Sequence, residues 1–206
     1  MNILGISCFF HDAGAALLQD GTLVAAAEEE RFSRKKHDYG FPAQAIDFCL
    51  RMGGIRGQDL DMVVFFEKPF LKFDRILRSS MAAFPKARGV FQESMLAWMT
   101  EKLWVKGLIR QNVGIDESKI VFSDHHLSHA ASAFFCSPFE EAAILTVDGV
   151  GEWATATYGI GRGSDIRILR EIRFPHSIGL LYSAFTAYLG FEVNEGEYKV
   201  MGMAPF

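Results

Sequence analysis

The sequence predicts an α/β protein of two related lobes, the second shorter than the first, and three observations predict it. The chain opens as a three-strand meander with no helix between its strands. Strand and helix patterns then alternate as far as about residue 134. Near Ile144 the opening order of elements begins again.

The first three strands are read at residues 2–8, 13–19 and 22–27, the last two joined by Asp20-Gly21, a dipeptide suited to a tight hairpin turn. Residues 41–50 form a helix with Pro42 in its first turn and Gly53-Gly54 as its stop. Residues 61–66 make a short buried strand. From 70 to about 112 the chain is a helical insertion, clearest in its second half, where Met95, Met99, Leu103 and Leu108 fall on one side. Such a stripe belongs to a core more often than to a cofactor box. Residues 119–123 return as a strand. A helix follows, with Asp124 as its N-cap and Leu127, Ala130, Ala131, Phe134 and Phe135 at helical spacing.

After this helix Ile144-Leu145-Thr146-Val147-Asp148 matches Ile3-Leu4-Gly5-Ile6-Ser7, and residues 154–159 match 13–19. Residues 166–174, ending Glu171-Ile172-Arg173-Phe174, match 23–32, ending Glu29-Glu30-Arg31-Phe32, and a helix over 177–189 follows. Residues 1–140 are therefore expected to form one lobe and 141–206 the beginning of a second. Three antiparallel strands extended by parallel ones form the pattern of the ribonuclease H-like, actin/sugar-kinase superfold. No counterpart of the strands at Asp61 and Lys119 follows in the second lobe, so a longer natural protein is expected.

At 206 residues, half of them apolar and 19 of them Phe, the chain can fill a sizeable core. A net charge of −4 argues against an electrostatic nucleic-acid binder. Cys8, Cys49 and Cys136 lie far apart in apolar segments and read as reduced core residues of a cytoplasmic protein. Neither a signal peptide nor a membrane span is expected.

Asp124-His125-His126-Leu127-Ser128-His129 carries the sharpest chemistry. His125 and His129 are one helical turn apart, so two imidazoles can reach one ion. Asp148 ends the apolar strand at 142–147, at the edge where α/β sheets gather ligand-binding groups. Nitrogen and oxygen ligands with open positions suit iron, zinc or manganese. Histidines on a helix also serve as caps and core hydrogen-bond partners, and His126 is read as capping or outer-shell; His176 has no assigned role.

Gly5-Ile6-Ser7, His11-Asp12-Ala13-Gly14-Ala15-Ala16, residues 28–37 (EEERFSRKKH), residues 124–129, Val147-Asp148-Gly149 and residues 196–205 (GEYKVMGMAP) together resemble the N-terminal part of carbamoyltransferases of the NodU/CmcH type. That family includes nodulation-factor, cephamycin and aminoglycoside O-carbamoyltransferases. The related threonylcarbamoyl-transfer proteins of tRNA modification share the fold and the two-histidine helix. The resemblance implies a one-carbon transferase: carbamoyl phosphate and ATP give carbamoyl-adenylate, whose carbamoyl group passes to a hydroxyl of a sugar or other small acceptor. It implies a metal on His125, His129 and Asp148, iron first, with a further carboxylate beyond Phe206. It also implies a C-terminal YrdC-like domain, without which these residues are expected to be inactive and to leave apolar surface that favours self-association.

His11 after the first strand and Lys36 after the third are read as substrate or phosphate contacts, and Lys35 as solvated. Gly149 and Gly151 are either turn glycines or backbone donors to a nucleotide phosphate. Glu197, Lys199 and Gly202 are candidate adenylate contacts. An actin-like or sugar-kinase ATPase, holding magnesium on acidic residues, and a non-catalytic scaffold are the rival functions.

Overall fold

Successive side chains of a strand point to opposite faces, and Leu4 and Ile6 accordingly lie buried on one face of β1 (Asn2–Ser7). β2 (Gly14–Gln19) runs antiparallel to β1, with Leu4 opposite Leu17, and β3 (Thr22–Glu28) antiparallel to β2. Asp20 and Gly21 turn the hairpin with φ of 50° and 81°, the left-handed pair that a two-residue connection needs. On the other side of β1, β4 (Met62–Phe65) and then β5 (Ile120–Phe122) pair in parallel, giving the order β3-β2-β1-β4-β5. This is the ribonuclease H-like arrangement of the actin-like fold class. The computed structural model describes residues 1–100 and 102–205, and they form two units, Met1–Ser123 and Asp124–Phe206.

In the first unit, α1 (Glu30–Ser33) is a single turn and α2 (Ala43–Met52) packs on β2 and β3 through Ala45, Ile46 and Cys49. Pro42 stands at its N-cap without a capping side chain. The buried Glu29 carboxylate serves instead, accepting the N–H of Ala45 at 2.8 Å and of Gln44 at 3.2 Å. The expected insertion is three helices, α3 (Pro69–Ala82), α4 (Arg88–Thr100) and α5 (Val105–Val113), so its first half is helical too. Of the expected Met95-Met99-Leu103-Leu108 stripe only Met99 is exposed; the other three are half-buried, Leu108 against the core, and Trp98 is the residue that α4 buries. A 3-10 turn at Lys102–Trp104 resets the helical phase, so α5 buries Val105, Ile109 and Val113.

In the second unit, β6 (Glu141–Val147), β7 (Ala154–Arg162) and β8 (Asp165–Arg173) form an antiparallel sheet in chain order. The helix bearing the histidines, α6 (His125–Phe134), packs Ala130 and Phe134 against Ile144, with Ala142, Ile166 and Ile168 around them. That apolar stripe assigns the helix to the second sheet, and the units divide at Ser123/Asp124 instead of at 140. α7 (Ile178–Tyr188) and α8 (Glu197–Met203) follow. Cys8 and Cys49 are buried as expected, but Cys136, just past α6, is exposed. Among the described residues no helix is long and apolar enough to cross a membrane.

Candidate metal centre

A helix repeat of 3.6 residues stacks His125 and His129 on one face of α6, and the hairpin loop after β6 brings Asp148 to the same place. His125 Nε2 lies 2.7 Å from Asp148 Oδ2 and 3.0 Å from His129 Nε2, and His129 Nε2 lies 3.7 Å from the same carboxylate oxygen. One point lies about 1.9 Å from three atoms so spaced, close to the roughly 2.0–2.2 Å of metal bonds to nitrogen and oxygen. Without a cation the arrangement is short of protons: neutral His125 has at most one N–H at Nε2, and two acceptors compete for it. The donor set therefore fits a divalent ion with open positions. The His125 bond, then that of His129, holds the Asp148 carboxyl well below the usual carboxylate range, so it is ionised.

The surroundings fix each ligand. Gly149 N–H donates to Asp148 Oδ1 at 2.6 Å, leaving Oδ2 for the imidazoles. Ser177, the N-cap of α7, donates from Oγ to the Gly149 carbonyl at 2.6 Å and accepts the Leu180 N–H. A Cβ on Gly179 would come within 2.4 Å of the Asp148 carbonyl oxygen, so only glycine lets α7 approach this loop. His126 is buried beside the other two histidines, its ring 5.8 Å from that of His125 and 6.0 Å from that of His129. Its Nε2–H donates to the Ala154 carbonyl at 2.9 Å, and Nδ1 accepts from Thr146 Oγ1 at 2.6 Å, itself 2.7 Å from its cross-strand partner Thr157. Burial lowers the His126 pKa and keeps it neutral.

Asp124 occupies the N-cap position of α6, but its side chain makes no capping hydrogen bond. Glu152, for which the sequence suggested no role, does this instead: its buried carboxylate accepts the His125 N–H at 3.0 and 3.1 Å. An acidic group there also faces the positive end of the helix dipole. Glu152→Ala is expected to cost about 1–3 kcal/mol of stability, the price of an unpaired buried donor. Urea unfolding checks it, and a loss under about 0.5 kcal/mol would show the cap to be dispensable.

The remaining candidates fall elsewhere. Both glycine N–H groups have partners within the chain, Gly149 on Asp148 and Gly151 on the Ala154 carbonyl at 2.9 Å. Gly151 is required by contact, because an added Cβ would lie 3.0 Å from His125 Cβ. Glu197 Oε1 accepts the Asn194 N–H at 3.0 Å and the Ser183 hydroxyl at 3.2 Å, which ties the start of α8 to the preceding loop and to α7. Lys199 Nζ lies over the rings of Tyr198 and Phe191, and Gly202 sits in α8 with open space around it. In the first unit, His11 Nδ1 bonds Asp12 Oδ2 at 3.0 Å with most of the ring exposed, and Lys36 is exposed. Phe9 N–H to the Tyr39 carbonyl and Ala13 N–H to the Asp38 carbonyl, both 2.7 Å, staple their two loops together.

Comparison with known proteins places these observations. "Uncharacterized protein sll1178" of Synechocystis is 51% identical over the whole chain, which covers 34% of that protein. "Nodulation protein NolNO" of Sinorhizobium fredii is 37% identical over 96% of the chain and 28% of its own length. The chain thus spans about a third of the curated relatives it matches. Among solved structures, YeaZ from Pseudomonas aeruginosa aligns over 84% of this chain and 67% of its own, with 16% identity and a TM-score of 0.44. Residues 2–206 match the family described as Carbamoyltransferase N-terminus, and the chain belongs to that family.

Proposed function

We propose that the chain is the N-terminal part of an ATP-dependent O-carbamoyltransferase that moves a carbamoyl group from carbamoyl phosphate, by way of carbamoyl-adenylate, to a hydroxyl of a sugar or other small acceptor. The observation that carries this reading is the convergence of His125, His129 and Asp148 in a chain of the carbamoyltransferase N-terminus family. Carbamoyl transfer develops negative charge that a Lewis acid stabilises, and a divalent ion on these ligands, iron or else zinc or manganese, would supply one. Glu152 and Gly149 keep two of the ligands aimed whether or not substrate is present.

In the first unit, His11 gives its Nδ1–H to Asp12 and keeps a lone pair on Nε2, the arrangement of a general base. Nε2 takes the acceptor's hydroxyl proton as that oxygen bonds to the carbamoyl carbon. The bond from that carbon to the phosphate oxygen breaks with its electron pair, and AMP leaves. Lys36 offers a positive charge to a phosphate oxygen.

The reading is tested by supplying the full-length protein with ATP and carbamoyl phosphate. Phosphate from carbamoyl phosphate, pyrophosphate from ATP and then AMP are expected, the last two requiring carbamoyl phosphate. ADP with a phosphorylated acceptor would instead mark a sugar-kinase-type enzyme, and no nucleotide turnover or thermal shift would mark a scaffold. Lys36→Ala is expected to weaken carbamoyl phosphate binding about ten- to a hundredfold with little change in melting temperature. Calorimetric titration showing a change of only about twofold would assign Lys36 to the solvated surface.

A further inference from the structure

We propose that His37 is a positioning residue: it shares the Asp12 carboxylate with His11 and thereby holds His11 with Nδ1 protonated and Nε2 bare. The proposal rests on the reading of His11 as the base of the transfer. His37 Nδ1 lies 2.9 Å from Asp12 Oδ1, and His11 Nδ1 lies 3.0 Å from Asp12 Oδ2. An ionised carboxylate only accepts, so both imidazoles must present Nδ1–H to it. With one oxygen taken by each ring, Asp12 cannot rotate without breaking a bond. The Asp12 carboxyl is held below its usual range first by the His37 bond and, against burial, by the His11 bond.

The backbone supports this bridge at a cost. Asp12 and His37 have φ of 39° and 54°, and Phe9 and Arg34, in the same two loops, have 70° and 59°. Non-glycine residues keep such values only where their surroundings over-determine them. Here Glu30 Oε2 accepts the His37 N–H at 3.0 Å, and the two 2.7 Å staples bind the loops to each other. The neighbouring charges have other partners: Arg31 pairs with Glu28 and Glu30, and Lys35 lies 3.9 Å from Asp38. The Phe10 ring packs tilted against the His11 ring, with centroids 4.7 Å apart.

The test uses two variants of the full-length protein. His37→Gly removes the imidazole while accepting the positive φ. His37→Asn restores an N–H near the Nδ1 position on a residue that tolerates the left-handed region. With histidine labelled in 15N, the His11 ring is expected as the Nδ1–H tautomer in the parent and His37→Asn proteins and as a mixture in His37→Gly. AMP release from ATP and carbamoyl phosphate, with water as acceptor, is expected to fall about tenfold in kcat with KM within twofold in His37→Gly, and to recover in His37→Asn. An unchanged His11 tautomer in His37→Gly, or loss of activity in both variants alike, overturns the positioning role. Asp12, Glu30 and His37 also lie close enough to share a cation. Saturable zinc binding by His125→Ala/His129→Ala protein that disappears on adding His37→Gly would reassign the cluster and overturn the proposal. Full AMP release by His11→Ala overturns the reading of His11 as base, and the labelled spectra judge His37 separately.

Discussion

His129→Ala is expected to strip the protein of its bound transition metal, while His126→Ala keeps most of it and loses stability instead. The two histidines lie three residues apart on α6 with their rings 6.0 Å apart, but their ring nitrogens have different partners. His129 Nε2 points at His125 Nε2 and Asp148, whereas both nitrogens of His126 are engaged by Thr146 and the Ala154 carbonyl. Removing an outer partner of a metal site costs about ten- to a hundredfold in affinity, and removing a ligand should exceed that. Metal content after dialysis, measured by elemental analysis beside urea unfolding, separates the two outcomes. The pH dependence has a definite sign. Asp148 is held ionised well below the usual carboxylate range, so acid competes for the site at the imidazoles, and affinity should fall as pH drops. Unchanged metal content in His129→Ala would sink the assignment.

Lys72→Met is expected to destabilise the first unit by about 3–5 kcal/mol, the usual cost of leaving one member of a buried ion pair behind. Lys72 Nζ, in α3, lies 2.7 and 3.0 Å from the two oxygens of Glu67, just past β4, and the side chains are only 10% and 7% exposed. Replacing both, as Glu67→Leu/Lys72→Met, removes the desolvated charges together and should recover most of the loss. A double-mutant cycle by chemical denaturation measures the coupling, and a single-variant loss below about 1 kcal/mol would show the pair to behave like a surface one. The pair also bears on His11: Lys72 Nζ lies 4.8 Å from the Phe10 ring, which packs tilted against the His11 ring.

What could be read from the sequence was what local periodicity encodes. Alternation located the strands, Asp20-Gly21 the hairpin, and the four-residue spacing of His125 and His129 their common face. The internal repeat revealed that the Asp148 strand opens a second sheet. Long-range partners left no such signal. Glu152 caps a helix that begins 27 residues earlier in the chain, and Glu29 caps α2 from the end of β3. Nothing in either segment alone marks a carboxylate as a cap for a distant helix. The Met95–Leu108 pattern was legible only in part: periodicity assumes an unbroken helix, and a 3-10 turn at Lys102–Trp104 interrupts this one. α6 follows β5 in sequence but packs its apolar face on β6–β8, a partner that the helix's own periodicity does not name.

The hairpin between β6 and β7 does two jobs at once. Asp148 at its start supplies a ligand atom, and Glu152 four residues later fastens the first amide of the helix that supplies the other two. Gly151 between them packs against the His125 side chain, so the intervening chain has no slack. The number of residues from Asp148 to Glu152 therefore acts as a ruler. One residue inserted or deleted there would leave every ligand in the chain yet separate the carboxylate from the imidazoles. Loop length, usually the most permissive property of a hairpin, is at this position as restrictive as the identity of the ligands.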